Sequence, residues 1–217
     1  MDKIKVIITG ATGMVGEGVL IECLQNEKVA EVLIVNRRHY DLTDPKLKEL
    51  IVPDFMDLEK YKAELSGYDA CFYCAGVSSI GMKEDKYTAI TYDTTLYFAK
   101  TVLALNPNMV FTFVTGRATD STEAGRSMWA RVKGKTENAL MKLGFRGQYN
   151  FRPGYMKGFK EQKNIKGIFK VFGFFYERLF PRDTLSLQEV GRAMINLTFN
   201  GSAKQVLEVK DIKELAK

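Results

Sequence analysis

Long apolar runs are missing from this sequence. No stretch reaches the roughly 18 uncharged apolar residues that a membrane-spanning helix needs, and the nearest candidate, Ile165–Phe180, is interrupted by Lys166, Lys170, Glu177 and Arg178. Cysteine is scarce: Cys23, Cys71 and Cys74 are all the chain has, which argues against a disulfide framework. Cys71-Phe-Tyr-Cys74 has the spacing of a redox pair but lies in an apolar run that reads as a strand. An offset of three there points the side chains to opposite faces and sets their Cα atoms about 10 Å apart, beyond bridging distance. Both are expected to be buried thiols. Histidine occurs once, as His39, in what reads as a surface loop, and no metal site is expected. Glycine and proline, at 18 and 5 of 217 residues, are too few for a low-complexity chain, and 46% hydrophobic with 27% charged residues excludes global disorder or a fibre. A signal-peptide core is absent from MDKIKVIITGATG, so a cytoplasmic location is expected. At about 150 residues per domain the length predicts one domain, 1–217, with a modest appendage.

Charge is present but uneven. Of the net +6, residues 1–110 carry 12 Lys/Arg against 16 Asp/Glu, and residues 111–217 carry 20 against 10. Between Lys142 and Arg182 ten basic residues face two acidic ones, Glu161 and Glu177. No nucleic-acid module accompanies this excess, so no nucleic-acid partner is expected; it points to an anionic substrate or an anionic membrane surface. Within it, Ile165, Ile168, Phe169, Phe172, Tyr176 and Leu179 recur at spacings of three and four. The period predicts a helix that packs on the domain and walls a small-molecule pocket, the alternative being a helix resting on lipid or a partner.

Strand-like runs near Lys3–Thr9, Glu31–Arg37, Leu50–Val52, Asp69–Ala75, Met109–Thr115 and Gln148–Arg152 alternate with helical stretches near Met14–Asn26, Asp57–Leu65, Asp85–Asn106 and Arg126–Leu143. Such alternation requires crossover connections, hence an α/β fold: a doubly wound, mostly parallel Rossmann-type sheet with helices on both faces. After Pro153 come a helix near Leu187–Phe199, a short Val206–Val209 strand and a last helical turn; residues 154–217 are expected to form a small C-terminal cap on the substrate side.

The first strand runs into Gly10-Ala11-Thr12-Gly13-Met14-Val15-Gly16, then an amphipathic helix. The glycine spacing suits a tight turn, backbone approach to a pyrophosphate and close helix packing, with the helix N-terminus facing negative charge. Residues 10–16 are therefore cofactor-binding candidates. At the end of the second strand, where a carboxylate would hold adenosine ribose hydroxyls, the chain reads Val35-Asn36-Arg37-Arg38. Two guanidiniums suit a 2′-phosphate, favouring NADP(H) over NAD(H).

These motifs, with Asp54-Phe55, Cys74-Ala75-Gly76, Arg131-Val-Lys133-Gly-Lys, Arg152-Pro153-Gly154 and Val190-Gly191-Arg192-Ala193-Met194, resemble the atypical, extended short-chain dehydrogenase/reductases. That group includes NAD-dependent epimerase/dehydratase-like proteins and the Tat-interacting-protein oxidoreductases. The resemblance implies an oxidoreductase or epimerase-like activity, Asp54 and Phe55 beside the adenine, and Cys74, Ala75 and Gly76 beneath the adenosine ribose and pyrophosphate. Long helices on either side of the fifth strand are dimer surfaces in that group, so a homodimer is open. In such enzymes a Tyr-x-x-x-Lys pair and a Ser perform acid/base chemistry, the Lys also holding the nicotinamide ribose. The corresponding residues here are Trp129-Ala-Arg-Val-Lys133 and Gly116: the lysine is present, the phenol and the serine are not. Three explanations stand side by side. The protein binds dinucleotide without catalysis; another hydroxyl, from Thr115, Ser78, Ser79 or Tyr155, supplies the proton; or hydride transfer proceeds with protonation by water, Trp129 forming a wall. Tyr92 and Tyr97 read as packing residues.

Overall fold

The computed structural model describes residues 3–159, 162 and 183–217; the periodic segment Ile165–Phe180 lies outside them. Among the described residues nine strands form: β1 (Ile4–Thr9), β2 (Val29–Asn36), β3 (Leu47–Ile51), β4 (Ala70–Tyr73), β5 (Val110–Val114), β6 (Gly147–Arg152), β7 (Tyr155–Lys157), β8 (Thr184–Ser186) and β9 (Val206–Glu208). Seven of them make one sheet in the order β3-β2-β1-β4-β5-β6-β9, every neighbouring pair parallel. The order reverses between β1 and β4, which opens a crevice beyond the carboxyl ends of those strands. This is the doubly wound Rossmann α/β arrangement that the alternation predicts.

Both faces are covered because strand residues alternate. Ile4, Val6 and Ile8 of β1, with Val32 and Ile34 of β2, pack under α1 (Met14–Gln25), while Ile7, Leu33 and Val35 belong to the opposite layer. That layer is closed by α3 (Thr94–Leu105), which follows α2 (Glu84–Thr88), and by α4 (Met128–Leu140). Cys71 lies in the second layer and Cys74 packs against the first, on opposite faces as their offset requires, and all three cysteines are free. Cys74, expected to be buried, is only partly so.

Three expectations need correction. Asp57–Leu65 is not a helix: a single 3-10 turn, Glu59–Tyr61, sits between Leu58 and Leu65, both fully buried. So short a helix is marginal by itself, and two leucines anchored seven residues apart are served by turns. Asp85–Asn106 is not one regular helix but α2 and α3 joined by a π-helical turn, Ala89–Asp93. Of the cap expected over 154–217, residues 187–217 instead belong to the main fold: α5 (Leu187–Asn200) and α6 (Val209–Leu215) pack in the first layer, and β9 is the seventh strand of the sheet. The α5 helix starts on a capping box, Ser186 Oγ accepting from Glu189 N at 3.1 Å and Ser186 N donating to Glu189 Oε2 at 2.7 Å. It approaches α1 closely because Gly191 faces Glu22, where an added Cβ would lie 2.7 Å from the Glu22 Cβ. The Val-Gly-Arg-Ala-Met motif is thus a helix contact, completed by Arg192 Nε donating to Glu22 at 3.0 Å. Residues 155–157 and 184–186 form the separate parallel pair β7–β8, which has no strand signal in the sequence.

Asn106 ties α3 to the start of β4. Its Oδ1 accepts from Gly67 N (2.7 Å) and Tyr68 N (3.0 Å), and its Nδ2 donates to Leu65 O (2.9 Å) and Val102 O (3.0 Å). Asn106→Ala leaves Gly67 N, Tyr68 N and Leu65 O without this partner, while Val102 O keeps the Asn106 backbone N–H at 2.9 Å, and is expected to cost roughly 2–3 kcal/mol, read as a lower urea midpoint with an unchanged m-value.

Candidate dinucleotide crevice and the lysine beside it

The crevice at the strand-order reversal has a volume of about 500 Å³. The turn from β1 to α1 supplies Gly10, Thr12 and Gly13; the end of β2 supplies Asn36, Arg37 and Arg38; the segment after β3 supplies Asp54 and Phe55; and the end of β4 supplies Cys74, Ala75 and Gly76. Ten of the residues singled out from sequence are thus brought together. Ala11 is instead fully buried in the core, and Met14, Val15 and Gly16 lie in the first turn of α1 behind the lining.

The glycines separate by what they make room for. Gly10 has φ +73°, and a Cβ there would lie 2.7 Å from the Ala75 backbone. At Gly16 a Cβ would lie 2.2 Å from the Gly10 carbonyl oxygen. Both are required by the protein's own packing. Gly13 is different: its nearest neighbour would be the same carbonyl at 3.4 Å, and Gly76 would meet nothing within 4 Å. The chain leaves bare backbone facing the crevice at these two positions, and α1 starts at Gly13 with no side-chain cap on its N–H groups. Such a cradle fits a phosphate-bearing ligand at a helix N-terminus.

Arg37 and Arg38 are exposed at the rim and take part in no salt bridge among the described residues. Asn36 beside them is 3% exposed, and its Oδ1 has no hydrogen-bond partner while its Nδ2 donates to Glu49 at 3.4 Å. An orphaned buried acceptor on a crevice wall calls for a donor from outside the chain. Glu49 also accepts from Tyr40 N at 2.8 Å and contacts His39, whose ring is exposed, so the arginine loop is pinned to β3. The Tyr40 hydroxyl donates to the buried Glu17 of α1 at 2.8 Å; burial and that carboxylate push the phenol above its ordinary range. Phe55 packs on Phe98 with ring centroids 5.3 Å apart, joining the aromatic cluster of Tyr73, Phe111 and Phe113 beneath the crevice.

Sequence reading missed Asn36, Ile90 and Thr94, all of which line the crevice. Asn36 could have been found, since it directly precedes the arginines. Ile90 and Thr94 could not: they reach the crevice through the π-helical turn, a feature that recurs at functional sites but has no reliable sequence signature.

The second group gathers where β5 ends against α4. Lys133 Nζ donates to the Thr115 carbonyl at 3.0 Å, and burial pulls its ammonium down to about 8, opposed in part by Glu137. The Trp129 ring lies against Gly116, whose added Cβ would sit 3.8 Å from Cζ3. An indole edge and a bare backbone thus stand together where the resembling enzymes carry a phenol and a serine. Thr115, expected as a substitute hydroxyl, is 8% exposed and donates inward to Glu137 Oε1 at 2.6 Å, with Phe151 O at 3.1 Å. That corrects its reading as a group open to substrate. Tyr155 is half-buried in β7, in register with Thr184, and does not line the crevice. Lys133 also lies outside that lining. Among the described residues no cluster of His, Cys, Asp or Glu is arranged to hold a metal ion, and no helix is long and apolar enough to cross a membrane.

The sequence model of the NAD dependent epimerase/dehydratase family matches residues 6–120, from β1 through the end of β5 and the loop after it. The chain belongs to the NAD-dependent epimerase/dehydratase family. Protein HTATIP2 of Rattus norvegicus is similar at 27% identity over the whole of this chain and 91% of its own length. Among solved structures, the Bordetella bronchiseptica enzyme WbmF in complex with NAD+ superposes with a TM-score of 0.70 at 16% identity, covering 99% of this chain and 77% of that one. UDP-glucose 4-epimerase of Thermotoga maritima, solved with UDP-glucose, gives 0.68 at 14% identity over 99% and 82%. These structures share the fold of the family, and the crevice described here lies within the matched segment.

Proposed function

We propose that this family member binds NADP(H) in preference to NAD(H) and acts as an oxidoreductase or epimerase-like enzyme with an altered acid/base site. One observation carries the cofactor reading: Arg37 and Arg38 stand side by side at the rim, with no carboxylate at the end of β2. Two guanidiniums there would take a 2′-phosphate in charge-assisted bonds. Gly10, Thr12 and Gly13 would receive the pyrophosphate, and the orphaned Asn36 Oδ1 would accept from an adenosine ribose hydroxyl. Asp54 and Phe55 would flank the adenine, and Cys74, Ala75 and Gly76 would pass beneath the ribose. The bound dinucleotide supplies hydride transfer at its nicotinamide. Lys133 would hold the nicotinamide ribose, and it is the group beside Trp129 able to change protonation near neutral pH. The Trp129 indole cannot act as an acid, so it would serve as a wall that excludes water. The substrate is a small molecule, and the basic C-terminal half suits an anionic one. Three free thiols suit the reducing conditions of the cytoplasm.

Fluorescence titration tests this. NADPH should bind at least tenfold tighter than NADH, and Arg37→Ala with Arg38→Ala should lower NADPH affinity by about tenfold or more while leaving NADH within twofold. Equal affinities in the wild type would remove the arginine argument. The Trp129 and Gly116 pair favours a second reading, a dinucleotide sensor without turnover. Tight NADPH binding with no oxidation of bound cofactor by any aldehyde, ketone or nucleotide sugar would select it.

A further inference from the structure

Behind Lys133 lies a polar layer that the function proposed above does not use. Glu137, one turn further along α4, is 0% exposed. Arg152 of β6, 8% exposed, grips it through both carboxylate oxygens, Nε donating to Oε1 at 3.1 Å and to Oε2 at 3.2 Å, with a further bond from Nη2. The same Nη2 donates to Ser121 Oγ at 2.5 Å, and Nη1 lies 3.7 Å from Glu208 Oε1 on β9. The third donor to Glu137 is the Thr115 hydroxyl, at 2.6 Å. Thr115 is therefore held twice at the end of β5: by its hydroxyl from Glu137 and by its carbonyl from Lys133.

We propose that Glu137, clamped by Arg152, is a positioning residue that presents Lys133 at the end of β5. A fully buried ion pair is a poor source of stability, because desolvating two charges offsets most of their attraction. What this pair contributes is geometry: three donors fixed on one carboxylate join α4, the end of β5 and β6 around the lysine, which apolar packing would leave free to slide. It also sets the field that the ammonium experiences, since a carboxylate one helical turn away favours the charged lysine. The other charged groups nearby are engaged elsewhere: Arg131 with Glu84, Lys135 over the Tyr92 ring, Arg117 with Asp183, and Glu208 with Arg152. The role of Lys133 toward a dinucleotide rests on the proposed function; the grip on Thr115 does not.

Competitive labelling of amines with acetic anhydride, read by mass spectrometry on the Lys133 peptide between pH 6 and 11, gives the protonation midpoint without any cofactor. Glu137→Gln should move that midpoint toward acid by about one unit, a tenfold rise in labelling rate at fixed pH below it. The double variant Glu137→Leu/Arg152→Met keeps the fold by replacing the pair with apolar groups, and it should show the same shift together with at least tenfold weaker NADPH binding. A double variant that folds, labels with the wild-type midpoint and binds NADPH as wild type overturns the proposal. Should the wild type bind neither NADPH nor NADH while Glu137→Gln still shifts the Lys133 midpoint, the cofactor reading falls and the positioning role stands.

Discussion

Gly16→Val is expected to leave no folded protein, whereas Gly13→Ala is expected to fold normally and to bind NADPH about tenfold more weakly or worse. The two positions lie one helical turn apart in the same glycine turn, yet their surroundings are opposite. A Cβ at Gly16 would occupy the space 2.2 Å from the Gly10 oxygen and 2.9 Å from the Ala11 nitrogen, both backbone atoms. No rotamer change relieves such a clash; α1 would have to move away from β1, opening the layer that Val19, Leu20 and Cys23 fill. A cost above about 4 kcal/mol follows, within reach of the whole stability of a domain. At Gly13 the backbone is extended, with φ −103°, a conformation any residue adopts, and a Cβ at 3.4 Å is tolerable. Gly13→Ala should therefore melt within about 2 °C of the wild type. The methyl group would instead face the crevice, where a pyrophosphate must approach bare backbone, so NADPH affinity should fall by about tenfold or more, some 1.4 kcal/mol. Circular dichroism melts beside NADPH titrations separate the two effects. A Gly13→Ala protein that binds NADPH like the wild type would show that the turn serves packing alone.

Lys133→Met should weaken NADPH binding at least tenfold and, at neutral pH, raise stability. Burial pulls the ammonium down to about 8, whereas a lysine in an unfolded chain titrates near 10.4. Between those values the unfolded state binds more protons than the folded one, so wild-type stability rises with pH across the window from about 8 to about 10.4. Below pH 8 the full penalty of burying the charge is in force, on the order of 3 kcal/mol. Methionine removes that penalty but takes away the 3.0 Å donor to the Thr115 carbonyl, a loss of about 1 kcal/mol. The net gain of about 1–2 kcal/mol at pH 7 corresponds to a melting temperature about 3–5 °C higher for a chain of this size. The difference should shrink toward zero and then reverse as pH passes 10. A constant gap across pH 6–11 would mean that Lys133 titrates as an ordinary exposed amine. A gain in stability paired with a loss of binding is the signature of a charge kept for function.

The sequence carried the local features. Alternation of β-branched runs with helical periods specified the layers, because a strand buried on both faces must be apolar throughout and a crossover helix must be amphipathic. The glycine spacing and the paired arginines marked where the crevice lies, since those residues belong to turns at strand ends that follow directly from the chain order. Absent residues are as informative: the lack of a carboxylate after Val35 and of a phenol four residues before Lys133 puts cofactor preference and acid/base chemistry in question from the sequence alone.

Other features depend on residues distant in the chain. That Leu58 and Leu65 are joined by turns rather than a helix, and that β9 pairs with β6, are decided by where the core has room. The inward turn of the Thr115 hydroxyl depends on Glu137, 22 residues away, and the grip on Glu137 comes from Arg152, 15 residues further. Gly13 and Gly16 look alike in the sequence and are told apart only by the distance to Gly10. Chain order thus determined the layers, the turn and the charges at its rim, because these rest on period and neighbourhood. Which glycine serves the ligand, which hydroxyl is spent inside and which carboxylate holds the lysine were decided by packing, because a hydrogen bond or a clash exists only once distant segments are brought within a few ångströms.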